Sequence, residues 1–174
     1  KSLDERCIVI CCSLKATAET VHAVERARQF GAVTIAMTGS PETGMAKAGE
    51  YVVVYSNGDE QIYSQSNQSM ALRLGFEILH QFEGYPLYHE AMAAFDQIDA
   101  IVAESKRSML PAAQSFAVEY QNDPLFQVLG AGPLYGTAYS MANCHFMEMH
   151  WRNAIMIHSG EYFHGPFEMT SETQ

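Results

Sequence analysis

Residues 7–38 read CIVICCSLKATAETVHAVERARQFGAVTIAMT, and this run decides the fold class. Its first six residues are a short apolar stretch rich in β-branched side chains, as a buried strand requires. After a polar loop, Val21, Val24, Ala27 and Phe30 recur at helical spacing and mark one face of an amphipathic helix. Gly31 follows, where a helix commonly ends on a glycine, and residues 32–38 make a second apolar strand. Strand, helix and strand in this order form a βαβ unit with its strands parallel.

The same alternation continues outward. Ser40-Pro41 breaks the chain, a short helix is expected over residues 44–48, and a third strand over 51–55 leads into a polar loop at 56–59. A long helix is predicted from about residue 64 to 82, closed by the turn Glu83-Gly84-Tyr85-Pro86. Helical patterns then cover 88–106 and 110–120, with Pro111 placed in a first turn, and read as a connector. After Asn122-Asp123-Pro124 the α/β pattern restarts: strand 125–131, the loop Gly130-Ala131-Gly132-Pro133, helix 135–151 and strand 154–157. The reading is two α/β units, residues 1–107 and 108–174. Because the chain starts just before a buried-looking strand and stops after barely two strands of its second unit, it is expected to be a slice of a longer protein.

Composition narrows the function classes. With 48% hydrophobic and 17% charged residues the 174-residue chain is expected to fold around a real core. A net charge of -10, with its few basic residues scattered from Arg6 to Arg152, argues against nucleic acid. An anionic small molecule would have to be held locally, by backbone N–H groups, hydroxyls and a lysine. Cys7, Cys11, Cys12 and Cys144 show no CxxC pair and read as reduced thiols in a core. No apolar stretch approaches the roughly 20 residues that cross a bilayer. The expectation is a cytoplasmic chain with no membrane partner, in which the sequon Asn67-Gln68-Ser69 is accidental.

Ser13-Leu14-Lys15-Ala16-Thr17-Ala18-Glu19-Thr20 lies between the first strand's carboxyl end and a helix's amino end, where open parallel sheets place ligands. Free N–H groups and the helix dipole favour a phosphate there, with hydroxyls on Ser13, Thr17 and Thr20 and a charge on Lys15. A plain helix cap by Thr17 explains the same residues equally well. Gly130, Gly132 and Gly136 would let a ligand approach the backbone, or would permit a tight turn and close packing; the spacing is not a dinucleotide fingerprint.

The richest stretch is Phe146-Met147-Glu148-Met149-His150-Trp151 followed by His158-Ser159-Gly160-Glu161-Tyr162-Phe163-His164-Gly165-Pro166. Burial of Glu148 among Phe146, Met147 and Met149 would raise its pKa and suit it to act as a carbon base, with His164, beside a Gly-Pro helix stop, as the acid. The residues alone also allow Glu148 a core cation or solvent, His158 and Glu161 a role in orienting backbone, and His145 and His150 surface or packing positions. Cys144 and Glu148 share an i, i+4 face, but no further ligands stand at metal-site spacing, so no metal is expected.

Glu161-Tyr162-Phe163-His164-Gly165-Pro166, with Glu148 sixteen positions before His164, resembles the second half of the sugar isomerase (SIS) domain pair in glucosamine-6-phosphate synthase. It resembles more closely the SIS deglycases that split phosphorylated Amadori compounds, those of 6-phosphofructose-aspartate and fructoselysine 6-phosphate. Residues 146–170, Gln81-Phe82-Glu83-Gly84-Tyr85 and the helix starting at Thr17 carry the resemblance, which covers essentially the whole chain. It implies an SIS fold: three-layer αβα with a flavodoxin-like parallel sheet, duplicated along the chain. It further implies Glu148 as carbon base, His164 as ring-opening or proton-donating acid, and Ser13, Lys15, Thr17 and Thr20 as the phosphate loop. Ser66 is implied as a second phosphate-side contact. The loop departs from the family, having Lys15-Ala16-Thr17 where a Gly-Asn-Thr or Gly-Glu-Thr run is usual. No organic cofactor or metal is called for, and a homodimer with its active site at the subunit interface is implied. An aldose-ketose or amino-sugar isomerase, and a non-catalytic sugar-phosphate sensor, are the alternatives.

Overall fold

β1 (Ile8–Cys12), β2 (Val33–Thr38) and β3 (Tyr51–Val54) pair in parallel in the order β1-β2-β3 in the computed structural model, which describes residues 3–56 and 62–170. Ile8 sits opposite Val33, and Ile35 opposite Tyr51. Parallel neighbours need a crossover. The first is α1 (Ala18–Gln29) and the second carries α2 (Gly44–Ala48). Val24 of α1, Ala36 of β2 and Met45 of α2 are fully buried against one another, with Cys11, Val21 and Ala48 packed around them. Phe30, the last residue of the predicted stripe, is 46% exposed, because α1 ends at Gln29 and Gly31 turns the chain with φ 80°. On the other face of β1, Ile8 and Ile10 remain exposed.

The polar loop expected at 56–59 falls, after Ser56, outside the described residues. The chain re-enters in a single 3₁₀ turn, Tyr63–Gln65, and α3 (Asn67–Glu83) follows, closed by Gly84 at φ 72°. Two expectations are corrected in the helical stretch. α4 (Tyr88–Phe95) stops early, at tight turns in which the Asp96 and Gln97 N–H groups donate to Ala93 and Ala94 oxygens. α5 (Ile98–Glu119) then runs straight through Pro111. The break lies where Phe95 is buried against Phe76, rather than at the proline.

The chain divides into two compact units, Lys1–Ser108 and Met109–Gln174. The second is built on β4 (Phe126–Gly130) and β5 (Ala154–His158), paired in parallel with Phe126 opposite Ala154 and Gly130 opposite His158. Its crossover is α6 (Tyr135–Ser140), which continues as a π-wound segment, Met141–Met149. The single α-helix expected over 135–151 is corrected here: the last turns are overwide and stop at His150.

Candidate functional site

The loop after β1 is fastened to the carboxyl edge of the first sheet. The Ser13 N–H donates to Met37 oxygen at 3.0 Å, and the Leu14 oxygen accepts from the Gly39 N–H at 3.1 Å and the Thr38 hydroxyl at 3.4 Å. Within the loop the Thr17 N–H donates to Ser13 Oγ at 3.2 Å, and the Thr17 and Thr20 hydroxyls are paired at 3.0 Å. Ala16 takes the left-handed conformation, φ 53°, to close this turn. Thr17 occupies the N-cap position of α1 but its hydroxyl bonds no helix N–H. Among the described residues the Ala18 and Glu19 N–H groups meet no protein acceptor, which leaves donors facing out at the positive end of a helix. Ser13, Thr17 and Thr20 are therefore brought together, while Lys15 is exposed beside them and, among the described residues, makes no side-chain hydrogen bond or ion pair.

Ser66 belongs to the same edge. It caps α3, its Oγ accepting from the Ser69 N–H at 3.3 Å, and it bridges Ser56, two residues past β3. That bond is an ordinary capping use of the hydroxyl. Sequence reasoning missed three groups here. The Thr38 and Thr43 hydroxyls pair at 3.2 Å, and the phenol of Tyr55 contacts Cys12 Sγ at 3.7 Å. Burial, reinforced by the Cys12 thiol, pushes the Tyr55 phenol above its ordinary value. Thr38 ends β2 and Tyr55 lies one residue past β3, which was the signal available for those two, whereas Thr43 is the N-cap of α2. Cys12 is exposed, against the expectation of a core thiol, because it ends β1 on the face that α1 and α2 do not cover; burial pushes the Cys11 thiol up.

In the second unit Gly130 serves packing: a Cβ there would stand 2.5 Å from Ala138 Cβ and 2.9 Å from Leu134 oxygen. His158 orients backbone, its Nδ1 accepting from the Gly160 N–H at 3.1 Å. Glu148 is exposed, which corrects the expected burial. Phe146 turns inward and stacks on Phe126 at 4.5 Å with the rings 5° from parallel, and residues two apart in a helical segment face opposite ways, so Glu148 turns out. Met147 and Met149, 38% and 65% exposed, do not cover it. His164 is exposed too, its N–H donating to Glu161 oxygen at 2.9 Å, and Gly165-Pro166 begins the 3₁₀ turn Pro166–Met169 rather than stopping a helix.

The topology separates this pair. Phe146 lies over Phe126, the first residue of β4, so the π segment ends at the amino edge of the β4–β5 sheet with Glu148 beyond it. β5 then carries the chain to the carboxyl edge, where His158 faces Tyr135 at 6.1 Å, and His164 follows on that side. Five strand residues separate the edges, about 13 Å at roughly 3.3 Å per residue. No hydrogen bond, ion pair or ring contact joins Glu148 to His164 among the described residues. Among those residues no group of three or more His, Cys, Asp or Glu is placed to hold a metal, and no helix is long and apolar enough to cross a membrane.

Solved structures share this architecture. A Bacillus subtilis protein provisionally assigned as a phosphosugar isomerase superposes with TM-score 0.93 at 36% identity, over 99% of this chain and 53% of that one. A Salmonella typhimurium protein of the same provisional assignment gives 0.92 at 37%, over 98% and 52%. The C-terminal domain of glucosamine-fructose-6-phosphate aminotransferase from Francisella tularensis gives 0.81 at 14% identity, a likeness of fold, over 95% of this chain and 49% of that one. The chain has the SIS fold. Among curated proteins, this SIS chain is 37% identical over 98% of its length to fructosamine deglycase FrlB of Bacillus subtilis, covering 52% of that protein. It is 25% identical over 96% of its length to fructoselysine 6-phosphate deglycase of Escherichia coli K12, covering 48%. The SIS chain thus spans about half the length of the curated relatives it matches. No family model matches it.

Proposed function

We propose that the complete protein is a deglycase that hydrolyses a phosphorylated Amadori compound, a fructosamine 6-phosphate such as 6-phosphofructose-aspartate, to glucose 6-phosphate and the free amino acid. The observation that carries this reading is the 37% identity to a fructosamine deglycase across 98% of the chain. In the proposed reaction Glu148 removes the C1 proton beside the C2 carbonyl to give an enaminol. Reprotonation at C2 gives a Schiff base, which water hydrolyses. His164 opens the sugar ring or donates at oxygen. The substrate's own carbonyl and amine carry the electrons, so no cofactor enters.

The phosphate is assigned to the loop of Ser13, Lys15, Thr17 and Thr20, with Ser66 at the neighbouring strand end. The two α1 N–H groups without protein acceptors support that assignment. The separation of Glu148 and His164 by the length of β5 supports a homodimer whose site takes Glu148 from one subunit and His164 from the other.

Full-length protein is to be incubated with fructose-aspartate 6-phosphate, fructose-lysine 6-phosphate and fructose 6-phosphate while amine release is followed. Turnover of the first or second with release of amine is expected; turnover of fructose 6-phosphate alone makes the protein an isomerase and sinks the deglycase. Mixing inactive E148Q and H164N variants is expected to restore activity, toward a quarter of wild type per chain. No restoration after subunit exchange would rule out the shared site.

A further inference from the structure

The end of β2 grips the middle of the loop after β1. The Gly39 N–H donates to the Leu14 oxygen at 3.1 Å, and the hydroxyl of Thr38, a fully buried residue, approaches the same oxygen at 3.4 Å. That hydroxyl is itself held, 3.2 Å from Thr43 Oγ, which caps α2 by accepting from the Ala46 N–H at 3.2 Å. The two hydroxyl hydrogens serve this chain when Thr43 donates to Thr38 and Thr38 to Leu14; the Ser40 oxygen then keeps the Thr43 N–H at 3.4 Å. Gly39 sets the distance of approach as well. A Cβ there would stand 2.6 Å from Leu14 Cδ1 and 3.0 Å from the Leu14 oxygen.

A carbonyl gripped on one side dictates what its peptide does on the other. The Leu14–Lys15 peptide is trans, so the Leu14 oxygen and the Lys15 N–H point in opposite directions across one rigid plane. With the oxygen turned toward β2, the N–H is turned away from it. Among the described residues the Lys15 N–H meets no protein acceptor. It is a backbone donor fixed in direction with its bond unmade, in the same loop as the Ser13 and Thr17 hydroxyls and the Ala18 and Glu19 N–H groups.

We propose that Thr38 and Gly39 are positioning residues for a phosphate monoester dianion, holding the Leu14 carbonyl so that the Lys15 N–H is aimed at the anion as a third backbone donor. The proposal rests on the assignment of the phosphate to this loop. Lys15 then contributes through its backbone as well as through its charge. Aim matters because a hydrogen bond weakens steeply as its angle closes, and a charged acceptor makes each well-aimed bond about twice as strong. A loop released from β2 keeps its hydroxyls and loses this alignment.

The test is calorimetric titration of the full-length protein with inorganic phosphate. Thr38→Val keeps the side-chain shape without the hydroxyl, and Gly39→Ala keeps the hydroxyl but pushes the Leu14 carbonyl back. Each is expected to weaken phosphate binding at least fivefold, while Thr38→Ser stays within twofold of wild type. Thr34→Val is the control for a merely structural loss: Thr34 is a buried hydroxyl of the same strand, accepting from the Glu50 N–H at 3.0 Å away from the loop. It is expected to lower the urea midpoint with phosphate affinity unchanged. Wild-type affinity in Thr38→Val and Gly39→Ala, or an equal loss in Thr34→Val, overturns the proposal; if one of the two loop variants does not fold, the other decides. The two readings fail separately. Unchanged affinity in Thr17→Ala combined with Lys15→Ala discards the loop assignment and this proposal with it, whereas a loss there beside wild-type binding in Thr38→Val and Gly39→Ala discards the positioning role alone.

Discussion

The rings of Phe126 and Phe146 lie face to face, 4.5 Å between centroids, at the amino edge of the β4–β5 sheet. This pair fastens the end of the π segment to the first residue of β4, and so fixes where Glu148 emerges. Phe126 also meets Phe116 at 6.2 Å, which ties the last part of α5 to the same cluster within the second unit.

Phe126→Ala and Phe146→Ala are expected to be non-additive in urea unfolding, with a coupling of about 1 kcal/mol, the size of a stacked pair beyond its area burial. Each single change is expected to cost about 3 kcal/mol, at the low end for a buried phenylalanine, because both rings are half-buried. Additive costs would mean that the stack contributes nothing specific.

Pro111 sits inside α5 and cannot donate to the Arg107 carbonyl one turn back. Proline in a helix interior costs about 3 kcal/mol relative to alanine, while alanine loses up to about 1 kcal/mol of unfolded-chain restriction. Pro111→Ala is therefore expected to stabilise the chain by roughly 2 kcal/mol, read as a rise in the denaturation midpoint. Destabilisation would mean that the helix does not pass through this position.

Much of the first unit was legible in the sequence because its signals are local. The strand at Val33–Thr38 and the helix at Gly44–Ala48 follow from a β-branched run and from Ser40-Pro41 as the break between them. The connector is less legible because a proline favours the first turn of a helix and so suggests a start near Pro111, whereas the burial of Phe95 against Phe76 decides where the break lies. Exposure of Glu148 was equally hidden. A run of Phe146, Met147 and Met149 looks apolar on every side, and only the Phe126 stack, made with a residue twenty positions away, chooses which side turns in. The left-handed Trp151 has no sequence signal, since its φ violates the propensity of its own residue.

Ser64 holds Asp99 from across the first unit, its hydroxyl donating to Oδ2 at 2.6 Å and its N–H to Oδ1 at 3.0 Å. The hydroxyl bond first, and then the backbone bond, lower the Asp99 pKa below the ordinary carboxyl value. The unfolded chain thus binds this proton more readily than the folded one. The stabilisation is present above the unfolded pKa of about 4 and is lost as pH falls through the folded value. Wild type is expected to lose more of its urea midpoint between pH 5 and pH 3 than Ser64→Ala; equal losses would exclude this bond as a source of acid sensitivity.

The loop after β1 separates a cap from a ligand site by what its hydroxyls bond. Thr17 spends its hydroxyl on Thr20 rather than on a helix N–H, so Thr17→Ala removes little helix-capping energy, and a cost well under the ~1 kcal/mol of a true cap is expected in unfolding. Ser13→Ala, by contrast, leaves the Thr17 N–H without its acceptor and is expected to cost about 1 kcal/mol. In the full-length protein, if the proposed assignment of the phosphate to this loop holds, Thr17→Ala combined with Lys15→Ala is expected to raise KM and to weaken competition by inorganic phosphate at least tenfold, with kcat changed far less, because bonds to the phosphate would act equally in the ground and transition states. If both KM and phosphate competition stay at wild-type values, the anion is bound elsewhere and the paired hydroxyls of Thr17 and Thr20 serve only the turn.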